Sequence, residues 1–216
     1  TPRVGMVERA LVAAHEAGVP ALLCMTKEDL ADPADFVAKF EGFEVEVMTT
    51  DVIAGTGVAA LETRLTGLFS VLIGHSGVGK STLINAIVPD AARAVGEVNV
   101  ATGKGRHTST SALALPLPGG GWLVDTPGVR SFGLAHADVE DVLAVFPDLA
   151  TVTTYCLPNC THLASEVSCA LDVWARATPG AENPLATEGF TVDQALRPDL
   201  VARASTLVEG LQKPAW

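Results

Sequence analysis

Apolar positions along the chain fall into short blocks punctuated by glycine, proline and charged turns, and most blocks have a readable period. Val4 to Ala17 repeats at helical spacing and closes at Gly18, which predicts a helix. Ala21, Leu22, Leu23, Cys24 and Met25 form an apolar strand that ends at polar residues. Phe43, Val45 and Val47 alternate as a strand running into Met48, Thr49 and Thr50, and Val58 to Leu68 reads as a helix. Phe69, Val71, Leu72 and Ile73 read as a buried strand. Ser81 to Val88 follows as an apolar helix halted by Pro89, and Trp122, Leu123 and Val124 make a further strand. Later, Cys169 to Arg176 and Leu200 to Leu211 read as helices, separated by the breaker Ala177, Thr178, Pro179, Gly180. Strands alternating with helices predict an α/β fold on a parallel sheet.

The strand ending at Ile73 runs into Gly74, His75, Ser76, Gly77, Val78, Gly79, Lys80, Ser81 and Thr82, which fits G-x-x-x-x-G-K-S. A strand, a glycine turn and a helix start form the setting this pattern needs. Glycines let the backbone approach phosphate oxygens, and the first N–H groups of the helix face the anion. Lys80 reaches the outer phosphates and the Ser81 hydroxyl can ligate Mg2+. The bland alternative is a glycine-rich turn with a surface lysine.

Asp125, Thr126, Pro127 and Gly128 follow the strand at Trp122. In that place Asp125 would hold the metal, usually through water, and the Gly128 N–H could meet the terminal phosphate. Many GTPases set a glutamine after this glycine to orient the attacking water; Val129 cannot do so, and slow intrinsic hydrolysis is expected. Between the two elements, Lys104, Gly105, Arg106, His107, Thr108, Ser109 and Thr110 form a polar stretch that could order around a metal-bound triphosphate. Thr108, Ser109 and Thr110 compete to complete the Mg2+ shell. His107 either positions water or caps the loop by hydrogen bonding. His107, Lys80, Thr108 and Ser109 form the candidate catalytic set.

Upstream, Thr26, Lys27, Glu28 and Asp29 resemble a guanine-reading N-K-x-D loop. An aspartate there accepts from the ring N–H and exocyclic amine of guanine, a pairing that adenine leaves partly unmade at a cost of about 1–3 kcal/mol. Lys27 would lie along the base plane. Thr26 replaces the asparagine with a shorter group that lacks the amide donor. A turn-forming role for Asp29 is the alternative. Thr49 and Thr50 are weaker candidates for a second base loop, since no Ser-Ala pair is present.

The order is therefore base loop, second base loop, phosphate loop and two switch-like segments. With Gly-His-Ser-Gly-Val-Gly-Lys-Ser, Gly-Arg-His-Thr-Ser-Thr and Asp-Thr-Pro-Gly-Val-Arg-Ser-Phe-Gly-Leu, it resembles the circularly permuted, ribosome small-subunit-dependent GTPase A family over nearly the whole chain. Permutation joins nearby termini and opens a surface loop without altering the packed sheet. The resemblance implies a P-loop NTPase-type GTPase that takes GTP or GDP with Mg2+. It also implies a GTP-dependent switch in late maturation of the small ribosomal subunit, whose rRNA and proteins are the partners and stimulate hydrolysis. The family carries an N-terminal OB-fold barrel that engages ribosomal RNA, and no five-stranded barrel is legible in this sequence.

Two of the four cysteines lie in Cys156, Leu157, Pro158, Asn159, Cys160, Thr161, His162, with Cys169 shortly after. Three thiolates and an imidazole in one short loop suit a closed, structural zinc site. The resembled family shows C-x4-C-x-H-x5-C, whereas the spacing here is C-x3-C-x-H-x6-C, so the span is kept and the middle pair slips by one residue. A disulfide or free thiols are the alternative. Cys24, on a predicted central strand, reads as a small core residue.

The expected division is a permuted GTPase domain over 1–136 and a small zinc-binding helical domain over 137–216. The 216 residues are 48% hydrophobic, enough for a core, and no apolar run nears the ~20 residues that cross a bilayer. No membrane partner, a cytoplasmic location and a monomer are expected. A net charge of −11 opposes broad docking on phosphate backbones. Contacts with RNA would be local, through Lys104, Arg106, His107 and Arg130. The rival readings are a nucleotide-dependent binding module, a permuted GTPase acting on another ribosomal particle, and an ATPase or kinase.

Overall fold

The computed structural model describes residues 3–43, 45–89, 91, 112–126, 134, 137–162, 166, 168–176, 190 and 194–211. The chain parts into two compact units, one drawn from 22–33 and 47–131 and the other from 1–21, 34–46 and 132–216. This spatial grouping follows packing rather than chain order, so it does not coincide with the expected division at 136/137.

The first unit holds β1 (Leu22–Thr26), β2 (Glu46–Thr50, whose first residue falls to the other unit), α3 (Val58–Leu65), β3 (Phe69–Leu72), α4 (Lys80–Ile87), β4 (Leu113–Pro116) and β5 (Trp122–Asp125). β1 and β2 form a two-stranded sheet, and β3, β5 and β4 form a three-stranded one. β5 is the middle strand, parallel to β3 with Leu72 opposite Asp125 and antiparallel to β4 with Leu113 opposite Asp125. This parallel pair carries the predicted topology. The β4–β5 hairpin was not predicted, because its sequence signal is only the spacing of Leu113, Leu115 and Leu117 before a glycine turn. That turn uses Gly120 and Gly121, both at φ 92°, and a Cβ on Gly121 would sit 2.4 Å from the Leu68 carbonyl oxygen.

Leu61, Leu65, Leu83, Ile84, Ile87, Leu115 and Leu123 make the core of this unit, with Leu72 and Cys24 packed against it. The run from Phe69 to Ile73 departs from expectation, since Phe69, Val71 and Ile73 are exposed among the described residues. Alternation along β3 turns only Leu72 toward the core. α3 ends three residues before the predicted Leu68, where the chain turns out at Thr66 and Gly67 takes φ 78°.

The second unit is helical: α1 (Val4–Glu16), α2 (Ala34–Val37) with a 3-10 turn at Ala38–Phe40, α5 (Val139–Ala144), α6 (Pro147–Thr153), α7 (Ala170–Arg176) and α8 (Arg197–Leu211). Val12, Val142, Phe146, Leu149, Val152, Trp174 and Val208 are among its most buried side chains. Asp138 and Asp141 cap α5 reciprocally, each carboxylate accepting from the other's backbone N–H at 2.9 Å. Phe43 does not open a strand as its alternation suggested. Its ring packs at a 56° tilt against Phe146 with centroids 4.5 Å apart, and β2 begins at Glu46.

One ion pair ties the ends of this unit together. Arg203 on α8 donates from Nε to Glu8 Oε1 on α1 at 2.6 Å and from Nη1 to the Lys39 carbonyl at 2.9 Å. Both partners are largely buried, and the guanidinium lies over the rings of Phe40 and Phe43. Removing one member strands the other's charge away from water, so Arg203→Ala is expected to cost about 3–5 kcal/mol in urea unfolding. A loss below about 1 kcal/mol would mean that solvent reaches Glu8 and screens it.

Candidate functional site

The phosphate-loop pattern sits where its sequence context demands: β3 ends at Leu72, the loop turns through Gly77 at φ 82° and Gly79 at φ 101°, and α4 starts at Lys80. Only glycine holds those two conformations without strain. Leu83, Ile84 and Ile87 anchor the helix in the core, which fixes its N-terminus and leaves Ser81 and Thr82 exposed there. Lys80 folds back over the loop, donating from Nζ to the Gly74 carbonyl at 2.7 Å and the His75 carbonyl at 3.1 Å. A Cβ on Gly74 would approach Val78 Cγ2 at 3.1 Å. Ser76 is exposed, while His75 presents a buried Nε2 that has no partner among the described residues.

Asp125 ends β5 beside the end of β3. Its Oδ1 is buried and unpartnered among the described residues; burial pushes its carboxyl above the usual range, and Lys80 pulls it partly back. A desolvated acceptor near a helix N-terminus fits a Mg2+ held through water, with the Ser81 hydroxyl as a second donor. Thr126 was not among the sequence candidates; its hydroxyl donates to the Leu72 carbonyl at 2.5 Å and pins the residue after β5 to β3. Gly128, Val129, Lys104, Arg106, His107, Thr108, Ser109, Thr110 and Arg130 lie outside the described residues.

The upstream loop meets this one. Thr26 donates its hydroxyl proton to the Val78 carbonyl, and Lys27 donates from Nζ to the Gly77 carbonyl at 2.9 Å. Lys27 holds φ 61°, a left-handed conformation uncommon outside glycine, and the turn closes with Leu30 N–H on the Lys27 carbonyl at 3.0 Å. Glu28 and Asp29 are exposed in that turn. Residues about fifty positions apart and in rotated order therefore share one loop cluster. Thr50 is fully buried and gives its hydroxyl to the Met25 carbonyl at 3.3 Å, so its side chain faces β1; Thr49 is half-buried. Asp51 closes the next turn by accepting from the N–H groups of Ile53 at 2.8 Å and Ala54 at 3.1 Å. That Asx turn was readable in principle from aspartate ahead of two glycines.

The helical unit holds the second cluster. Ligand atoms of Cys156, Cys160, His162 and Cys169 all lie within 4.8 Å of one another. Cys156 Sγ and Cys169 Sγ are 3.9 Å apart, and each is 3.7 Å from His162 Nδ1. Donors ~2.3 Å from one tetrahedral centre lie roughly 3.7 Å apart, so the set fits zinc. Asn159 at φ 65° and His162 at φ 55° bend the loop inward. Burial raises the Cys156 thiol and pushes Cys169 up to about 12, with the Cys156 and Cys160 thiols adding to it. Burial also lowers His162, against the pull of Glu140 and Glu166. A cation would repay that desolvation. All four cysteines are free, so the disulfide alternative is not formed.

Residues 1–135 match the family described as RsgA GTPase. The chain belongs to that family. Among curated relatives it is 38% identical over 177 residues to the small ribosomal subunit biogenesis GTPase RsgA of Ectopseudomonas mendocina, covering 79% of this chain and 51% of that one. With the protein of the same description from Alcanivorax borkumensis it shares 36% over 213 residues, covering 95% and 60%. The chain thus spans about half to three fifths of the length of these relatives. In fold it is similar to YjeQ from Thermotoga maritima, with TM-score 0.63, 24% identity, 96% of this chain and 66% of that one. It is also similar to YloQ, a circularly permuted GTPase, with TM-score 0.61, 22% identity, 99% and 65%.

If the four soft donors act as one site, the Cys160→Ser protein loses its zinc. The check is a colorimetric chelator assay on denatured, gel-filtered protein; a variant that keeps wild-type zinc content would exclude Cys160 as a ligand.

Proposed function

We propose that this chain is the GTP-hydrolysing part of a small ribosomal subunit biogenesis factor: a slow GTPase that acts as a switch in late maturation and is stimulated by the subunit. The observation that supports it most is the pair of bonds from Thr26 and Lys27 to the Val78 and Gly77 carbonyls, which join a base-reading loop to a phosphate loop in permuted order. The curated relatives are described as small ribosomal subunit biogenesis GTPases.

In this reading Gly74 to Thr82 wraps the phosphates with backbone N–H groups, and Lys80 exchanges its two loop carbonyls for phosphate oxygens. Asp29 accepts from the guanine ring N–H and amine, Lys27 lies along the base, and Thr49 borders it, while Thr50, buried against β1, supports that strand end. Ser81 and Asp125, with a hydroxyl from Thr108, Ser109 or Thr110, hold Mg2+, which when bound neutralises charge growing between the outer phosphates. Gly128 meets the terminal phosphate. Val129 leaves the attacking water unoriented, so turnover waits for the subunit to order the segment around His107. The module over 137–216, stapled by zinc through Cys156, Cys160, His162 and Cys169, is a docking piece rather than a second enzyme. A monomer in the cytoplasm fits this role, and no described helix is long and apolar enough to cross a membrane.

Two measurements carry the test. Single-turnover GTP hydrolysis is expected to be slow for the protein alone, to rise on adding small subunits, and to fall about 100-fold in Lys80→Ala. Fast hydrolysis indifferent to small subunits would sink the switch. In nucleotide competition, Asp29→Asn is expected to weaken GDP roughly tenfold and leave ADP unchanged, because the amide offers one acceptor where two donors need pairing. Equal loss for both nucleotides would remove Asp29 from base recognition.

A further inference from the structure

Three thiols in one cluster have a second chemistry besides metal binding, because any two of them can release a pair of electrons and join. Which two would do so follows from where the sulfurs sit. Cys156 and Cys169 are 13 positions apart in sequence, yet their Sγ atoms lie 3.9 Å from each other. Closing that gap to the ~2.05 Å of a sulfur–sulfur bond asks for a shift of about 2 Å, within the reach of side-chain rotation.

The same two cysteines carry the ends of neighbouring helices. Cys156 follows α6 and donates its N–H to the Thr153 carbonyl at 3.0 Å, while the Cys169 carbonyl accepts from Asp172 and Val173, in the first turn of α7, at 3.1 and 3.4 Å. Cys160 and His162 belong to the loop between, which bends at Asn159 and His162. A bond from Cys156 to Cys169 would therefore keep α6 tied to α7 without a metal and set Cys160 and His162 free. Exposure orders the steps. Cys169 is only 3% exposed within the helical core, whereas Cys156 is half-buried between the exposed side chains of Tyr155 and Leu157.

We propose that Cys156 and Cys169 form a reversible oxidation site, at which a peroxide exchanges a zinc staple for a disulfide staple. The proposal rests on the zinc reading above and deepens it. Sulfurs that hold a metal are thiolates, the nucleophilic form. The Cys156 sulfur attacks one oxygen of hydrogen peroxide; the O–O bond breaks, hydroxide leaves, and Cys156 becomes a sulfenic acid. The Cys169 thiolate then attacks that sulfur, which forms the S–S bond and displaces a second hydroxide. Two thiolates have lost two electrons and the peroxide has gained them. Cys160 and His162 are the donors left, too few for a closed zinc site.

The experiment uses the zinc-loaded 216-residue protein carrying Cys24→Ser, so that only the cluster can react. Hydrogen peroxide is added, zinc release is followed with a colorimetric chelator, and unreduced peptides are mapped by mass spectrometry. Zinc is expected to leave in step with formation of the Cys156–Cys169 bond, and dithiothreitol followed by zinc to restore the loaded protein. In thermal melts the oxidised, zinc-free protein is expected to stay close to the loaded one and well above reduced protein stripped by a chelator. A bond that includes Cys160, sulfinic acid with no bond, or zinc retained under peroxide would each overturn the pairing. An oxidised protein that melts as low as the stripped one would overturn the staple. Failure of the zinc reading looks different: the reduced protein would take up no zinc at all. The pairing is then read from the mapped peptides alone, and a missing Cys156–Cys169 bond still overturns it.

Discussion

A loop that binds an anion through backbone N–H groups has to keep them aimed at one point while no anion is present, and that constraint organises the sheet-bearing unit. Lys80 meets it by donating to the carbonyls of Gly74 and His75, so the ammonium bridges the arch from inside. Everything else about the loop serves that arch. β3 delivers the backbone to it, α4 is held by Leu83, Ile84 and Ile87 in the core, and Thr26 and Lys27 brace its far side. Thr126 ties the end of β5 to the same strand end. The carbonyls of Leu72, Gly74, His75, Gly77 and Val78, which surround the loop, are thus each held by a side-chain donor.

The helical unit solves a different problem with related means. A protein of net charge −11 nonetheless buries guanidinium groups, and it does so against aromatic faces. Arg197 lies 4.8 Å from the Trp174 ring centre and 5.1 Å from that of Phe190, while Arg203 lies over Phe40 and Phe43. A weakly hydrated planar cation loses less on leaving water than an ammonium does, and the ring quadrupole offsets part of that loss. Lysine in either place would keep the charge and lose the stacking.

The loop cluster of the candidate site was legible because its pattern is local: two glycines at fixed offsets from Lys80, an aspartate ending an apolar strand, and a Thr-Lys-Glu-Asp turn. Helices with strong stops were legible too, Val4–Glu16 and Lys80–Ile87 falling close to expectation. What escaped was decided by contacts between distant residues. Phe43 alternates like a strand residue, yet the ring of Phe146 claims it. Phe69 and Val71 read as buried because an apolar run carries no sign of which face meets the core. The α5 and α6 starts at Asp138 and Pro147 had cap chemistry that could have been read, and α8 begins at Arg197 because Pro198 suits a first turn. The two loop-bracing hydroxyls, Thr26 and Thr126, have no periodic signature at all.

The pairing of Glu8 with Arg203 spans 195 positions of sequence. During ribosomal synthesis α1 is made well before α8, which carries its guanidinium partner. Until then Glu8 keeps its water shell, and the apolar face around Leu11 and Val12 lacks the surface it will finally cover. The sheet-bearing unit, drawn from 22–33 and 47–131, is complete on the polypeptide well before that moment. Vectorial synthesis therefore favours an order in which the sheet-bearing unit forms before α1 and α8 pair, leaving α1 dependent on a segment made 195 positions later.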